Sequence, residues 1–191
     1  MNKLIFIIGM RRSGTSILRK LIMRHHEIEN IEFEPNELLE VTERIDIQRY
    51  RTIPFFKDTL DRFYNHEKYY GAKLALNPGI EAMRWKNLIL KYPDAKFIFI
   101  KRNSNSTYES WANNETSKRG ICSYEMYKSW WNFINLSFME YSTKNPFKAI
   151  ILDYEHLIKD VDNEMKKVWK FLGINLDIPT MKHLIHKPRW E

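Results

Sequence analysis

A glycine-bearing segment between an apolar run and a helical pattern constrains this chain more than any other feature. Residues 9–16 read Gly-Met-Arg-Arg-Ser-Gly-Thr-Ser; they follow the apolar run Leu4–Ile8 and precede the helical pattern Ile17–Met23. A strand, a tight turn and a helix start form an anion site, because unpaired backbone N–H groups and the helix dipole both favour negative charge. The segment therefore predicts a loop that binds a phosphate-like group.

The residue types in this loop narrow the range of ligands that it can bind. The spacing of Gly9 and Gly14 matches a Walker A loop, but Thr15 stands where a nucleoside triphosphatase needs a lysine. The cations lie earlier, at Arg11 and Arg12. We therefore expect a ligand other than the β- and γ-phosphates of ATP with magnesium. Taken alone, an ordinary turn with two surface arginines fits the segment equally well.

Size and composition favour one soluble domain, residues 1–191, with a core of its own. The formal net charge of +7 favours anionic partners without choosing among nucleotides, acidic glycans and nucleic acid. Cys122 is the single cysteine, so an intramolecular disulfide is excluded and a reducing compartment is favoured. No segment approaches transmembrane length, and the first apolar run is too short for a signal peptide. We predict a cytoplasmic protein without membrane association.

Strand-like and helix-like segments alternate along the chain. Strands are predicted at 4–8, 28–33, 69–76, 95–100 and 147–152, and helices at 17–23, 54–64, 77–90, 106–116, 124–141 and 163–172. Asn77 and Pro78 are the predicted cap and first residue of the third helix, and Gly173 ends the last one. The alternation predicts an α/β fold of three layers, with a central parallel sheet flanked by helices. Such sheets bind ligands beyond the carboxyl ends of their strands.

Three further polar segments lie at or near the ends of predicted strands. Arg102 follows one strand, and its forked guanidinium can bind a phosphate together with Ser110 on the next helix. Glu32 and Glu34 end another strand, where either carboxylate can act as a general base; alternation places both on the same side. Lys73 can stabilise charge on a leaving oxygen. Each segment alone fits a solvated surface better than a site.

The aromatic and histidine residues favour structural roles. Aromatic side chains between residues 111 and 138 recur largely at helical spacing, which favours a core stripe over a surface that stacks nucleic-acid bases. The six histidines show no metal-ligand spacing, and the neighbours His25 and His26 are expected on different helix faces. We predict no metal site.

Together and in this order, these segments resemble the sulfotransferases that use 3′-phosphoadenosine 5′-phosphosulfate (PAPS). Residues 12–16 are similar to that family's 5′-phosphosulfate loop, and residues 92–110 contain an arginine and serine similar to its 3′-phosphate motif. Residues 71–73 resemble part of its Gly-x-Lys-x-Pro segment. Residues 154–157 and 171–173 resemble its Tyr-Glu-Asp-Leu and Phe-Leu-Gly ending.

The resemblance implies a P-loop-like fold and metal-independent transfer of a sulfuryl group from PAPS to an acceptor hydroxyl or amine, with 3′-phosphoadenosine 5′-phosphate (PAP) as product. It implies that Arg12 and Lys73 stabilise the charge on the bridging oxygen and that Glu34 is the base, with Glu32 in reserve. The co-substrate contacts that it implies are Arg11, Arg12, Ser13, Gly14, Thr15, Ser16, Arg102 and Ser110.

Several departures from the family pattern bear on this interpretation. Asn103-Ser104 replaces the usual Asp-Pro, and Leu74-Ala75 follow Lys73 where a proline is usual. The family's Arg-Lys-rich loop is missing, which leaves C-terminal contacts to the nucleotide unassigned; residues 187–190 are a weak candidate. A short chain suits an open cleft for a carbohydrate or another extended acceptor, and a lipid or small alcohol also fits.

Two other functions stay open. A small kinase with a degenerate P-loop would require magnesium-dependent binding of ATP. A basic nucleic-acid-binding module would bind generic oligonucleotides in a salt-sensitive way. The ordered set of motifs favours the sulfotransferase, so nucleic acid is not the expected partner.

Overall fold

Strands and helices alternate along the part of the chain that the computed structural model describes, which is residues 3–33, 67–79, 81–113 and 122–176. The elements there are β1 Leu4–Met10, α1 Thr15–Ile22, β2 Ile28–Phe33, β3 Tyr69–Leu76, α2 Glu81–Lys91, β4 Lys96–Lys101, α3 Ser104–Ala112, α4 Tyr124–Lys144, β5 Ala149–Asp153, α5 Tyr154–Lys159 and α6 Val161–Leu172. The helix expected at 54–64 lies outside the described residues.

The five strands form one parallel sheet in the order β2-β3-β1-β4-β5. Every residue of β1 is buried, and so is the interior of β4. Continuous apolar strands of this kind require helices on both faces of the sheet. The predicted α/β fold with a central parallel sheet is therefore confirmed.

Each face of the sheet has its own core. One face packs against α2, α3 and α4, where Trp85, Phe99 and Phe138 form an aromatic cluster with ring centroids 4.1 to 5.1 Å apart. The other face packs against α1, α5 and α6. The predicted aromatic stripe supplies buried residues such as Tyr127 and Phe138 to the first core, so its structural interpretation is confirmed for them.

Most element boundaries differ from the predicted ones by one to four residues, and the start of α2 differs for an identifiable reason. Helix α2 begins at Glu81 instead of Pro78. Gly79 lies in a turn with φ +107, and an α-helix does not contain a residue with a positive φ. The short helix α5 follows β5 directly and has no counterpart in the prediction. Gly173 ends α6 in the left-handed conformation, as expected.

The strand order creates a crevice beside the end of β1. After β1 the chain builds β2 and β3 on one side, and it then crosses to build β4 and β5 on the other. Ligands of open parallel sheets bind where the order reverses in this way. Gly9 pairs with Ile100, so the loop after β1 and the residues after β4 emerge side by side.

Candidate active site

The loop after β1 is a tight turn held by two backbone hydrogen bonds. The Ser13 amide donates to the Met10 carbonyl at 2.9 Å, and the Arg11 amide donates to the Leu76 carbonyl at the end of β3 at 2.8 Å. Between them Arg12 adopts φ +75, a left-handed conformation that costs energy in a non-glycine residue. The turn therefore fixes the direction in which Arg12 leaves the sheet.

Ser13 packs inside the turn. Its side chain is buried, and its hydroxyl oxygen has no hydrogen-bond partner among the described residues. A Cβ atom added to Gly9 would lie 2.4 Å from this oxygen and 2.6 Å from the Ile100 carbonyl oxygen. Gly9 is therefore required by close packing. The Ser13 hydroxyl lies against the strand, and its amide is already used within the loop.

The N-terminus of α1 provides the backbone donors of the site. Gly14 caps the helix at φ +103, and no side chain accepts a hydrogen bond at this cap. The first amides of a helix have no acceptor within the helix, so those that follow Gly14 suit an anion, and the helix dipole adds to the attraction. Thr15 and Ser16 open this first turn, two residues before the predicted start of the helix at Ile17.

Two hydrogen bonds join the predicted 5′-phosphosulfate loop to the predicted 3′-phosphate motif. Arg12 Nε donates to Ser110 Oγ on α3 at 3.0 Å. Arg102 Nη1 donates to the Arg12 carbonyl oxygen at 3.1 Å. The structure thus brings together residues about 90 positions apart in the chain. Two guanidinium groups and one hydroxyl meet beside the N-terminus of α1.

Arg102 is held from several directions. Its carbonyl oxygen accepts a hydrogen bond from Trp131 Nε1 at 2.9 Å, and its guanidinium carbon lies 4.7 Å from the centroid of the Tyr154 ring. Arg102 Nε is buried and has no hydrogen-bond partner among the described residues. A buried donor of this kind suits an anionic ligand, because an unsatisfied charged group is costly.

Lys73 approaches the same helix from β3. Its side chain is only 1% exposed, and Nζ donates to Ser16 Oγ at 3.4 Å. Because Lys73 pairs with Ile7 of β1, its aliphatic stem runs over the α1 face of the sheet toward residues 11–14, which we call the phosphate loop. The arrangement places a third cation at the start of α1.

Glu32 already has two hydrogen-bond donors. Its Oε1 accepts from the Tyr70 hydroxyl at 3.0 Å and from Asn30 Nδ2 at 2.5 Å. Burial raises the pKa of Tyr70, and the neighbouring Glu32 charge raises it further. Glu32 pairs with Ala72, which lies in the core against α2 to α4, whereas Lys73 lies on the α1 side. Glu34 and residues 187–190 lie outside the described residues.

His25, His26 and Glu27 form the metal-ligand-type cluster found among the described residues. The two histidine rings stack at 4.7 Å instead of diverging, because they lie in the turn after α1 ends at Ile22. His25 Nδ1 accepts from the Glu27 amide at 3.1 Å, and Nε2 lies 3.0 Å from the Asn175 carbonyl oxygen. Both ring nitrogens of His25 therefore serve the packing of this turn.

Comparison with known protein families decides the family. The family model described as "Sulfotransferase domain" matches residues 2–189. The chain belongs to the sulfotransferase family. A comparison with curated proteins gives no match.

Solved sulfotransferase structures share the fold. The sulfotransferase domain of the Synechococcus PCC 7002 olefin synthase is 17% identical, with 97% of this chain and 80% of that chain covered and a TM-score of 0.67. The Alicyclobacillus acidocaldarius sulfotransferase is 17% identical over 96% and 88%, with a TM-score of 0.63. A mouse sulfotransferase complexed with PAP is 20% identical over 97% and 64%, with a TM-score of 0.62. The predicted P-loop-like sulfotransferase fold is confirmed.

Sequence reasoning gave no site role in this sulfotransferase to Tyr154 or Trp131. Both contact Arg102, one through its ring face and one through its indole N–H. Two signals pointed to Tyr154: it lies just after a predicted strand, and it opens the segment 154–157 that resembles the family's Tyr-Glu-Asp-Leu ending. Separately, no helix among the described residues is long and apolar enough to cross a membrane.

Proposed function

We propose that this sulfotransferase moves a sulfuryl group from PAPS to an acceptor hydroxyl or amine. The observation that carries the proposal is the pair of hydrogen bonds that join Arg12 to Ser110 and Arg102 to Arg12. They support one continuous site with two centres of positive charge. A nucleotide with phosphate groups at both its 5′ and 3′ positions matches such a site.

Arg12 and the amides after Gly14 bind the 5′-phosphosulfate in this proposal, and Arg102 with Ser110 binds the 3′-phosphate. The fit of an anion at Arg102 is supported by its buried Nε, which has no hydrogen-bond partner in the described part of the chain. The 3′-phosphate contacts distinguish PAPS from a plain adenylate. The PAP bound to the mouse sulfotransferase is consistent with this choice of nucleotide.

The chemical step is an in-line displacement at sulfur. Glu34 accepts the proton of the acceptor hydroxyl, the acceptor oxygen bonds to sulfur, and the bond from sulfur to the bridging phosphate oxygen breaks, so that PAP leaves. Arg12 and Lys73 stabilise the negative charge that develops on the bridging oxygen. Fixed side-chain cations supply the charge that magnesium supplies in phosphoryl transfer, which makes the proposed reaction metal-independent.

Glu34 is preferred over Glu32 as the base because of the partners of Glu32. The Glu32 carboxylate already accepts hydrogen bonds from the Tyr70 hydroxyl and from Asn30 Nδ2. Glu34 follows β2, whose last residue Phe33 pairs with Lys73. The assignment of Glu34 rests on its place in the sequence.

Turnover of PAPS with a panel of acceptors tests the proposal. The panel contains sugars, aryl alcohols, sterols and amines, and the buffer contains EDTA; PAP and sulfated product are followed by mass spectrometry. We expect Glu34→Gln to lower turnover by about a hundredfold or more, the usual contribution of a general base, with PAP affinity nearly unchanged. Glu32→Gln is the matched control and should keep most of the turnover. Full activity of Glu34→Gln would contradict the assigned base.

A further inference from the structure

The ring of Tyr154 touches both halves of the candidate site. Its centroid lies 4.7 Å from the guanidinium carbon of Arg102, within the range of a cation–π contact. A Cβ atom added to Gly14 would lie 2.4 Å from Tyr154 Cδ2 and 2.8 Å from Cε2. The same ring therefore packs against the backbone of the phosphate loop and against the arginine after β4.

Strand pairing places Tyr154 beside Arg102. Lys101 and Asp153 are register partners at the ends of β4 and β5, and their charged groups lie 3.5 Å apart. Arg102 and Tyr154 are the next residues after these two strands. One position further, the Asn103 amide donates to a Glu155 carboxylate oxygen at 3.1 Å. Three successive contacts therefore fix the segment after β4 against the start of α5.

The other contacts of Arg102 involve its backbone and one guanidinium nitrogen, so the Tyr154 ring supports one face of the side chain. The Arg102 backbone is held by Trp131, which donates to its carbonyl oxygen. The guanidinium donates from Nη1 to the Arg12 carbonyl, while Nε has no partner among the described residues. The ring therefore restricts the direction in which the remaining donors of Arg102 point.

We propose that Tyr154 is a positioning residue that holds Arg102 against the phosphate loop and so sets the preference of the site for a 3′-phosphate. The inference rests on the proposed function, since it assigns the support of the arginine that binds this phosphate. The ring acts through Arg102. Loss of the ring should therefore affect nucleotides that carry a 3′-phosphate more than those that lack it.

Calorimetric titration of the Tyr154 variants with PAP and with adenosine 5′-phosphate tests the inference. We expect Tyr154→Leu to lower the ratio of the affinity for PAP to the affinity for adenosine 5′-phosphate about tenfold. This is the size of a partly desolvated cation–π contact. Tyr154→Phe keeps the ring face and should keep the ratio. The matched control is Phe171→Leu, which removes a half-buried ring that Lys96 approaches at 4.6 Å away from the site; its ratio should equal that of the wild type.

A second substitution separates the ring's charge distribution from its shape. Pentafluorophenylalanine at position 154 keeps the shape of phenylalanine but removes the negative ring face, so it should lower the ratio even if Tyr154→Leu fails to fold. An unchanged ratio in both variants would overturn the inference. Equal weakening of both nucleotides would also overturn it, because the ring would then act on the adenosine that they share. A wild-type protein that fails to prefer PAP would instead contradict the proposed function.

Discussion

Gly14 occupies a position that two independent constraints reserve for glycine. Its backbone has φ +103, a conformation that other residues adopt at a cost. Its α-carbon also faces the Tyr154 ring, with 2.4 Å between the ring and an added Cβ. Gly79 shares the first constraint at φ +107 but has open space around it. A comparison of substitutions at the two glycines therefore separates the cost of backbone strain from the cost of steric overlap.

Gly14→Ala should destabilise the protein more than Gly79→Ala does. We expect Gly79→Ala to lower the free energy of unfolding by about 1–2 kcal/mol, because only the backbone is strained. Gly14→Ala adds overpacking, which costs on the order of 1–3 kcal/mol more, and it should also weaken PAP binding. Denaturant unfolding and calorimetry measure the two effects. Equal destabilisation by both substitutions would show that the Tyr154 ring does not pack against the loop.

Arg102→Ala tests the proposed contact between Arg102 and the 3′-phosphate directly. The loss of a hydrogen bond to a charged group costs about 1.5–3 kcal/mol, so the affinity for PAP should fall on the order of tenfold to a hundredfold. The affinity for adenosine 5′-phosphate should change little, because that nucleotide has no group for Arg102 to bind. Arg24→Ala removes an exposed arginine just after α1 and is the matched control. An Arg102→Ala variant with wild-type affinity for PAP would contradict the assignment.

At the scale of elements, the junction of β5 and α5 supports the site. Asp153 ends β5, its carboxylate accepts a hydrogen bond from the Glu155 amide at 3.1 Å, and Lys101 Nζ lies 3.5 Å away. Burial by itself raises the pKa of Asp153, but hydrogen bonds at the start of α5 and the charge of Lys101 outweigh burial, so the pKa is lowered. The ionised carboxylate is thus the form that stabilises this junction.

The contribution of Asp153 to stability should depend on pH in a defined direction. Since its pKa is lower in the folded than in the unfolded protein, the contribution is complete above about pH 4 and is lost as the pH falls through the lowered value. Asp153→Ala should lower the free energy of unfolding by about 1 kcal/mol at neutral pH, the usual cost of an N-cap. Asp153→Asn keeps a capping oxygen and should cost less.

Thermal or denaturant unfolding between neutral and acid pH measures this contribution. The stability difference between wild type and Asp153→Asn should be constant near neutral pH and shrink below about pH 4, because protonation removes the charge that the substitution also removes. A difference that grows toward acid pH would contradict the lowered pKa of Asp153.

At the scale of the whole molecule, the fold follows from patterns that are local in sequence. The bounds of β2 and β3 agree with the predicted ones, because apolar and β-branched residues end there at polar residues or turns. The alternation of strands and helices then leaves a parallel sheet as the arrangement that buries both faces of β1 and β4. The carboxyl ends of these strands carry the candidate site residues.

The side-chain contacts of the site depend on packing between distant segments, which periodicity does not encode. The hydrogen bond from Arg12 to Ser110 spans 98 positions, and the contact of Tyr154 with Arg102 follows from the register of β4 and β5. The buried position of Ser13 depends on Gly9, because a Cβ atom at residue 9 would overlap the Ser13 hydroxyl oxygen. For the same reason the sequence assigned a site role to Arg102 but none to the Tyr154 ring that packs against it.

The most direct test of a single nucleotide site is calorimetric titration of the wild-type protein, without added metal, with PAP and with adenosine 5′-phosphate. Because Arg12, Arg102 and Ser110 meet at one edge of the sheet, both phosphate groups of PAP should be bound together. We predict that PAP binds at least about tenfold more tightly than adenosine 5′-phosphate, a difference in binding free energy of about 1.4 kcal/mol. Equal binding of the two nucleotides, or no binding of PAP, would contradict the account.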